Sequence, residues 1–129
     1  MSNSVVINGI TFKPVNYITI TETAYKQILE LYSKKKAEDV DVIGILITLK
    51  QRGCAGLAYK IEYAKIGVNL FDKFEIIQKP EFNLFINPKI ALYLIGTQMD
   101  FKNDRLESGF VFVNPNSKGE CGCGESFFV

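Results

Sequence analysis

From Val42 to Val113 the chain is a succession of short strand-like runs, and most joins between them are too short to return a parallel strand through a helix. Val42–Lys50 reads VIGILITLK, rich in β-branched residues that suit a pleated surface. Leu57–Ala64 alternates, which places Leu57, Tyr59, Ile61 and Tyr63 on one side. Phe74–Gln78 and Phe82–Ile86 are two further runs, parted by Lys79-Pro80, and Thr97–Lys102 and Leu106–Val113 are two more. With a short extended piece at Ile18–Ile20, the pattern predicts six or seven strands.

Two helices interrupt this text. Thr21 is placed to cap a helix whose first turn carries Glu22, where a carboxylate suits the helix dipole. Ala24, Ile28 and Leu31 then fall on one stripe, and Lys34, Lys35 and Lys36 close the last turn as a solvated, cationic end, giving a helix over 22–37. Asn87-Pro88 reads as an N-cap followed by proline at the first helical position, opening a short helix to about Leu94 that Gly96 stops. The expected fold class is therefore α+β, mainly β: a β-sandwich or curled mixed sheet of short strands with one main helix and one short helix.

A chain of 129 residues fits one domain. Residues 1–17 read as an N-terminal extension, in which Val5–Phe12 is apolar enough for an edge strand but is interrupted by Asn8-Gly9 and Pro14. Residues 18–113 form the core domain. Residues 114–129, NPNSKGECGCGESFFV, read as a glycine- and cysteine-rich tail of the same domain with neither helix nor strand period.

Charge and composition remove several functions. Fifteen Lys and Arg against fourteen Asp and Glu leave +1, too little basic excess for charge-driven nucleic-acid binding. No apolar run reaches the roughly 18 residues of a membrane span. The first sixteen residues carry neither signal-peptide nor transit-peptide character. Cytoplasm is the expected location, with an organelle matrix as the alternative. Abundant Lys, Ile and Asn beside scarce Arg suggest an AT-rich, bacterial genome. The sequence holds no histidine, which excludes Ser–His–Asp and Cys–His catalysis within one chain, along with His-based metal sites. No general base or nucleophile–base pair is evident, so no enzyme is expected.

Soft-metal chemistry must then rest on three cysteines. Cys54 lies in Arg52-Gly53-Cys54-Ala55-Gly56, and the others in Cys121-Gly122-Cys123-Gly124. Flanking glycines let the backbone bend close around a bulky group and aim amide N–H groups at it. Cys54 taken by itself also suits a small buried hydrophobe. An odd count argues against a closed set of disulfides, and one intervening residue is unlike the two of a redox dithiol. Zinc and iron–sulfur sites both want four ligands, and one chain offers three thiolates. A second subunit, a carboxylate such as Glu125 or an outside thiol would complete the set.

The motifs resemble those of the HesB-like, A-type iron–sulfur carrier family, the IscA/SufA/ErpA type. Gly53-Cys54-Ala55-Gly56-Leu57-Ala58-Tyr59 matches its first cysteine motif. Phe110-Val111-Phe112-Val113-Asn114-Pro115-Asn116 and Cys121-Gly122-Cys123-Gly124-Glu125-Ser126-Phe127 match its last, with Gly96-Thr97-Gln98-Met99-Asp100-Phe101 between. Arg52 stands where the family more often has glycine, and 65–84 matches loosely.

The resemblance implies a homodimer or tetramer holding a [2Fe–2S] cluster between subunits, with [4Fe–4S] as a further form. Cys54, Cys121 and Cys123 match the cluster cysteines, and Glu125 matches a position proposed as an extra ligand in some members. A scaffold protein would donate the cluster, and apo iron–sulfur proteins would receive it. Cys54 is expected on a fixed loop and Cys121 and Cys123 on a mobile tail, so that deleting 119–129 would abolish binding yet leave the domain folded. Phe127 and Phe128 are expected to pack the terminus. Two other readings use the same thiolates: a donor of mononuclear iron, and a non-transferring dimer around structural zinc.

Overall fold

A computed structural model of the chain describes residues 4–51, 57–103, 108–113 and 123–128, with side chains for all of these but 49–51, 57–58, 103, 108 and 123–128. The main helix, α1 (Glu22–Glu38), begins where the sequence predicts, and the Thr21 hydroxyl accepts from the Ala24 N–H at 3.2 Å. Ala24 and Ile28 are fully buried on its inner stripe. The lysines at its end differ from expectation. Lys34 is exposed, but Lys36 Nζ donates to the carbonyls of Val40 and Val42 at 2.7 Å each, and Lys35 stands 5.4 Å from the centre of the Tyr63 ring. Asp39, which follows the helix, pairs with Lys65, and that hydrogen bond holds its carboxyl below the usual carboxylate range.

Among the described residues ten strands form one hydrogen-bonded array: β1 (Val5–Ile7), β2 (Ile10–Pro14), β3 (Thr19–Ile20), β4 (Val42–Gln51), β5 (Leu57–Lys65), β6 (Glu75–Gln78), β7 (Asn83–Ile86), β8 (Gln98–Asn103), β9 (Ser108–Val113) and β10 (Cys123–Phe128). Their order is β1-β2-β6-β7-β4-β5-β10-β9-β8-β3. The hairpins β4–β5, β6–β7 and β8–β9 are antiparallel, as short joins require. The parallel pairs β4–β7, β2–β6, β3–β8 and β5–β10 all join strands distant in sequence, so the sheet is mixed. Between β7 and β8, Asn87 Oδ1 accepts from the Lys89 N–H at 3.0 Å and opens a 3-10 turn at Pro88–Ile90 that continues into α2 (Ala91–Leu94).

The centre of the array is buried on both faces. Ile45 and Ile47 of β4, Ile77 of β6, and Leu84 and Ile86 of β7 face α1 and join Ile28, Leu94, Met99 and Phe112. The alternate residues Leu46, Ile76 and Phe85 join Phe12, Ala64 and Leu70 on the other face. Strand alternation explains the division, and it explains why VIGILITLK is apolar without a break. Gly44 lets β4 and β7 approach: a Cβ there would stand 2.3 Å from the Asn83 carbonyl oxygen.

Two expectations are corrected. Asn8-Gly9 does not break the N-terminal segment but turns it, with φ of 50° and 81°, so that β1 and β2 form a hairpin on the array's edge and Phe12 is buried. The segment after Asn114 is not a tail without strand character either. Its residues 123–128 are β10, placed between β5 and β9. Deleting 119–129 therefore removes an interior strand of the sheet rather than an appendage. These additions raise the predicted six or seven strands to ten among the described residues.

Candidate metal centre

β10 sets the register of Cys123 against the strands on either side of it. Its first half pairs antiparallel with β9, with Cys123 opposite Val113, Gly124 opposite Phe112 and Glu125 opposite Val111. Its second half pairs parallel with β5, with Ser126 opposite Tyr59, Phe127 opposite Lys60 and Phe128 opposite Ile61. Gln51 and Leu57, which end β4 and begin β5 on either side of residues 52–56, are themselves partners. Counting back along the parallel strands from Tyr59 and Ser126 sets Leu57 level with Gly124. The ends of the segment carrying Cys54 and the backbone of Cys123 thus lie at one end of the β5–β10–β9 group.

Of the predicted ligands, Cys123 and Glu125 are placed by their backbone. Cys54 and Cys121 lie outside the described residues. Among the described residues no three Cys, Asp or Glu side chains form a metal-binding group.

Around this end the framework is tied together by ring contacts and hydrogen bonds. The Tyr59 ring meets Phe112 at 4.5 Å between centroids, and its hydroxyl donates to the Tyr93 carbonyl at 3.4 Å. Burial raises the Tyr59 phenol above its ordinary range. The Gly96-Thr97-Gln98-Met99-Asp100-Phe101 motif is structural here. Thr97 is buried and its carbonyl accepts from Thr19 N–H at 3.0 Å, while Met99 O accepts from Thr21 N–H at 2.9 Å. Asp100 Oδ1 accepts from the Thr21 hydroxyl at 2.6 Å, so the motif ties β8 to the start of α1. Val113, opposite Cys123, is 36% exposed.

The strand character of 123–128 escaped sequence reasoning. The one signal available was Ser126-Phe127-Phe128-Val129, a short run too brief to oppose the glycines before it.

A family model described as iron–sulphur cluster biosynthesis matches residues 16–125. Mitochondrial iron–sulfur cluster assembly 1 homologs of Columba livia and Mus musculus are each 44% identical over 112 residues, covering 87% of this chain and 80% and 81% of theirs. An uncharacterized protein of Rickettsia prowazekii (strain Madrid E) is 40% identical over 114 residues, covering 88% of this chain and 98% of its own. Among solved structures, Escherichia coli SufA, involved in biosynthesis of iron–sulfur clusters, superposes with a TM-score of 0.61 at 29% identity, covering 83% of this chain and 88% of its own. IscA with the [2Fe-2S] cluster shares the fold with a TM-score of 0.59 at 21% identity, over 87% of this chain and 97% of its own. By the family match and the relatives' identity, this chain belongs to the iron–sulphur cluster biosynthesis family.

Proposed function

We propose that the chain carries an iron–sulfur cluster, bound through Cys54, Cys121 and Cys123 at a subunit interface, from an assembly scaffold to apo-proteins. The observation that carries this reading is the register of β10. Pairing Ser126 with Tyr59 brings the Cys123 end of one strand level with the start of another, directly after the segment holding Cys54. Three soft thiolates from two such segments suit iron and sulfide, and they leave a fourth ligand to be supplied from elsewhere. A second copy would supply it in a homodimer or tetramer, and Glu125, two residues past Cys123, is the candidate carboxylate. A set one ligand short favours a cargo that is handed on.

The cargo is a [2Fe–2S] cluster, with [4Fe–4S] as its further form. Transfer proceeds by stepwise thiolate exchange, which needs no general base, so the protein acts as a carrier and not as an enzyme. Its place is the bacterial cytoplasm or an organelle matrix. Among the described residues no helix is long and apolar enough to cross a membrane.

Anaerobic reconstitution, followed by a visible spectrum with iron and acid-labile sulfide assayed on one sample, tests the reading. Charge-transfer bands with matched iron and sulfide, and transfer to an apo-ferredoxin, are expected. Iron without sulfide would make the chain a donor of mononuclear iron. Tightly held zinc with no chromophore would make the cysteines a structural site.

A further inference from the structure

Among the described strands, β1 and β3 form the two edges of the array, and β3 is only two residues long. The Asn8-Gly9 turn fixes which backbone groups β1 leaves open. Ile7 and Ile10 flank its two-residue loop, Val5 stands opposite Phe12, and Val6 and Thr11 are the pair between. The Thr11 N–H donates to Asp72 Oδ1 at 2.9 Å, and its carbonyl accepts from the Lys73 N–H at 2.7 Å. Both partners lie just before β6, on the side of β2 away from β1. Val6 and Thr11 are thus the pair that exchanges no hydrogen bonds, and in an antiparallel ladder both members of such a pair turn their N–H and C=O groups outward. The Val6 N–H and carbonyl face the open edge, with no hydrogen-bond partner among the described residues.

Proteins ordinarily close such an edge with a lysine, a proline or a bulge. β1 has none of these. Its register on β2 is unbroken, and Ser4 to Phe12 carry no charged side chain. Val5 and Ile7 pack against the core that holds Phe12 and Leu46, while Val6, on the opposite face, is 63% exposed.

We propose that β1 pairs edge to edge, antiparallel, with β1 of a second copy of this chain, centred on Val6. A two-fold contact must be self-complementary. In this register Val6 meets Val6 of the second copy and Val5 meets Ile7, so every opposed pair is β-branched and uncharged. The outward N–H and carbonyl of each Val6 bond those of the other, and each exposed side chain covers its counterpart. That self-match favours a second copy over a foreign peptide, which would require none. The hairpin precedes the residues matched by the family model, and five strands separate β1 from β10 in the array. The pairing therefore uses neither β10 nor its neighbours, and it joins two chains independently of any interface that a cluster would share.

Sedimentation of the full chain, reduced and metal-free, from micromolar to millimolar concentration tests the pairing without reliance on the cluster-binding reading. The parent is expected to show an association step that Val6→Lys weakens by about tenfold, the scale of losing an apolar cross-strand pair and setting like charges opposite each other. Val6→Glu is expected to weaken it alike. Because Val6 faces Val6, an equimolar mixture of the Val6→Lys and Val6→Glu chains should associate again, near the strength of the parent. Hydrogen exchange at the Val6 amide of the parent reads the same step without a substitution, and it is expected to slow as concentration rises. A parent whose mass and Val6 exchange do not change with concentration overturns the proposal. A mixture no more associated than either variant alone overturns it too. Binding of an extended apolar peptide at β1 by a chain that does not self-associate overturns it in favour of a foreign strand.

Discussion

Thr21 and Asp100 stand 79 residues apart and share a hydrogen bond of 2.6 Å, the hydroxyl donating to Oδ1. The same hydroxyl oxygen accepts from the Ala24 N–H, so one side chain caps α1 and pins it to β8. Thr21→Val keeps the shape and removes both bonds. It is expected to cost about 1–2 kcal/mol, the usual worth of an N-cap, read as a lower urea midpoint with an unchanged slope. Thr21→Ser, which keeps the hydroxyl, restores most of that loss.

Phe12 is fully buried against Phe85, with ring centroids 4.9 Å apart, although it lies before the residues matched by the family model. The hairpin that carries it closes the second face of the sheet over Leu46, Ala64 and Ile76. Phe12→Ala is expected to destabilise the chain by about 3–5 kcal/mol, as for other buried aromatic truncations. A variant as stable as the parent in chemical denaturation would show the hairpin to be a dispensable arm.

The Tyr17 hydroxyl donates to the carboxylate of Glu75, which is 9% exposed. Burial, followed by the hydrogen bond and charge of Glu75, raises the Tyr17 phenol well above its ordinary value of 10.0. The folded state thus disfavours tyrosinate more than the unfolded state does. The stability this gives is fully present below pH of about 10 and is lost as pH rises toward the folded-state value. Tyrosinate absorbance should accordingly show a component that titrates late and together with unfolding, and Tyr17→Phe should remove it. The same variant leaves Glu75 without its phenol, with an expected loss of about 1–3 kcal/mol at neutral pH.

Local chemistry made much of this fold legible. Thr21-Glu22 marked the start of α1, Asn87-Pro88 marked the turn into α2, and the β-branched run at Val42 marked a strand buried on both faces. Where the outcome depended on distant partners, the sequence misled. Cys123-Gly124 has little strand propensity of its own and becomes β10 because β9 and β5 offer it two edges. Asn8-Gly9 read as an interruption because the strand it serves is short, and its partner β6 lies some sixty residues on. The candidate ligands came from spacing and motif. The structure adds the register of β10 on β5, which sets Gly124, next to Cys123, level with Leu57 at the start of β5; Cys54 and Cys121 lie outside the described residues.

That register ranks the ligand variants. Serine is a poor substitute for a soft thiolate toward iron, and each of the three thiolates is needed when the chain already falls one ligand short. Cys54→Ser, Cys121→Ser and Cys123→Ser are each expected to abolish the charge-transfer bands after reconstitution, with iron and sulfide lost together. Glu125 sits opposite Val111 in the half of β10 held by β9, two residues from Cys123. A carboxylate there supplies at most a harder, replaceable ligand, so Glu125→Gln should keep the bands and weaken retention less than any cysteine variant. Loss of the bands in Glu125→Gln would instead make it a required ligand and remove the need for one from a second subunit. Equal behaviour of Cys54→Ser and the parent would detach the β4–β5 segment from the site and leave the cargo to the Cys121–Cys123 segment.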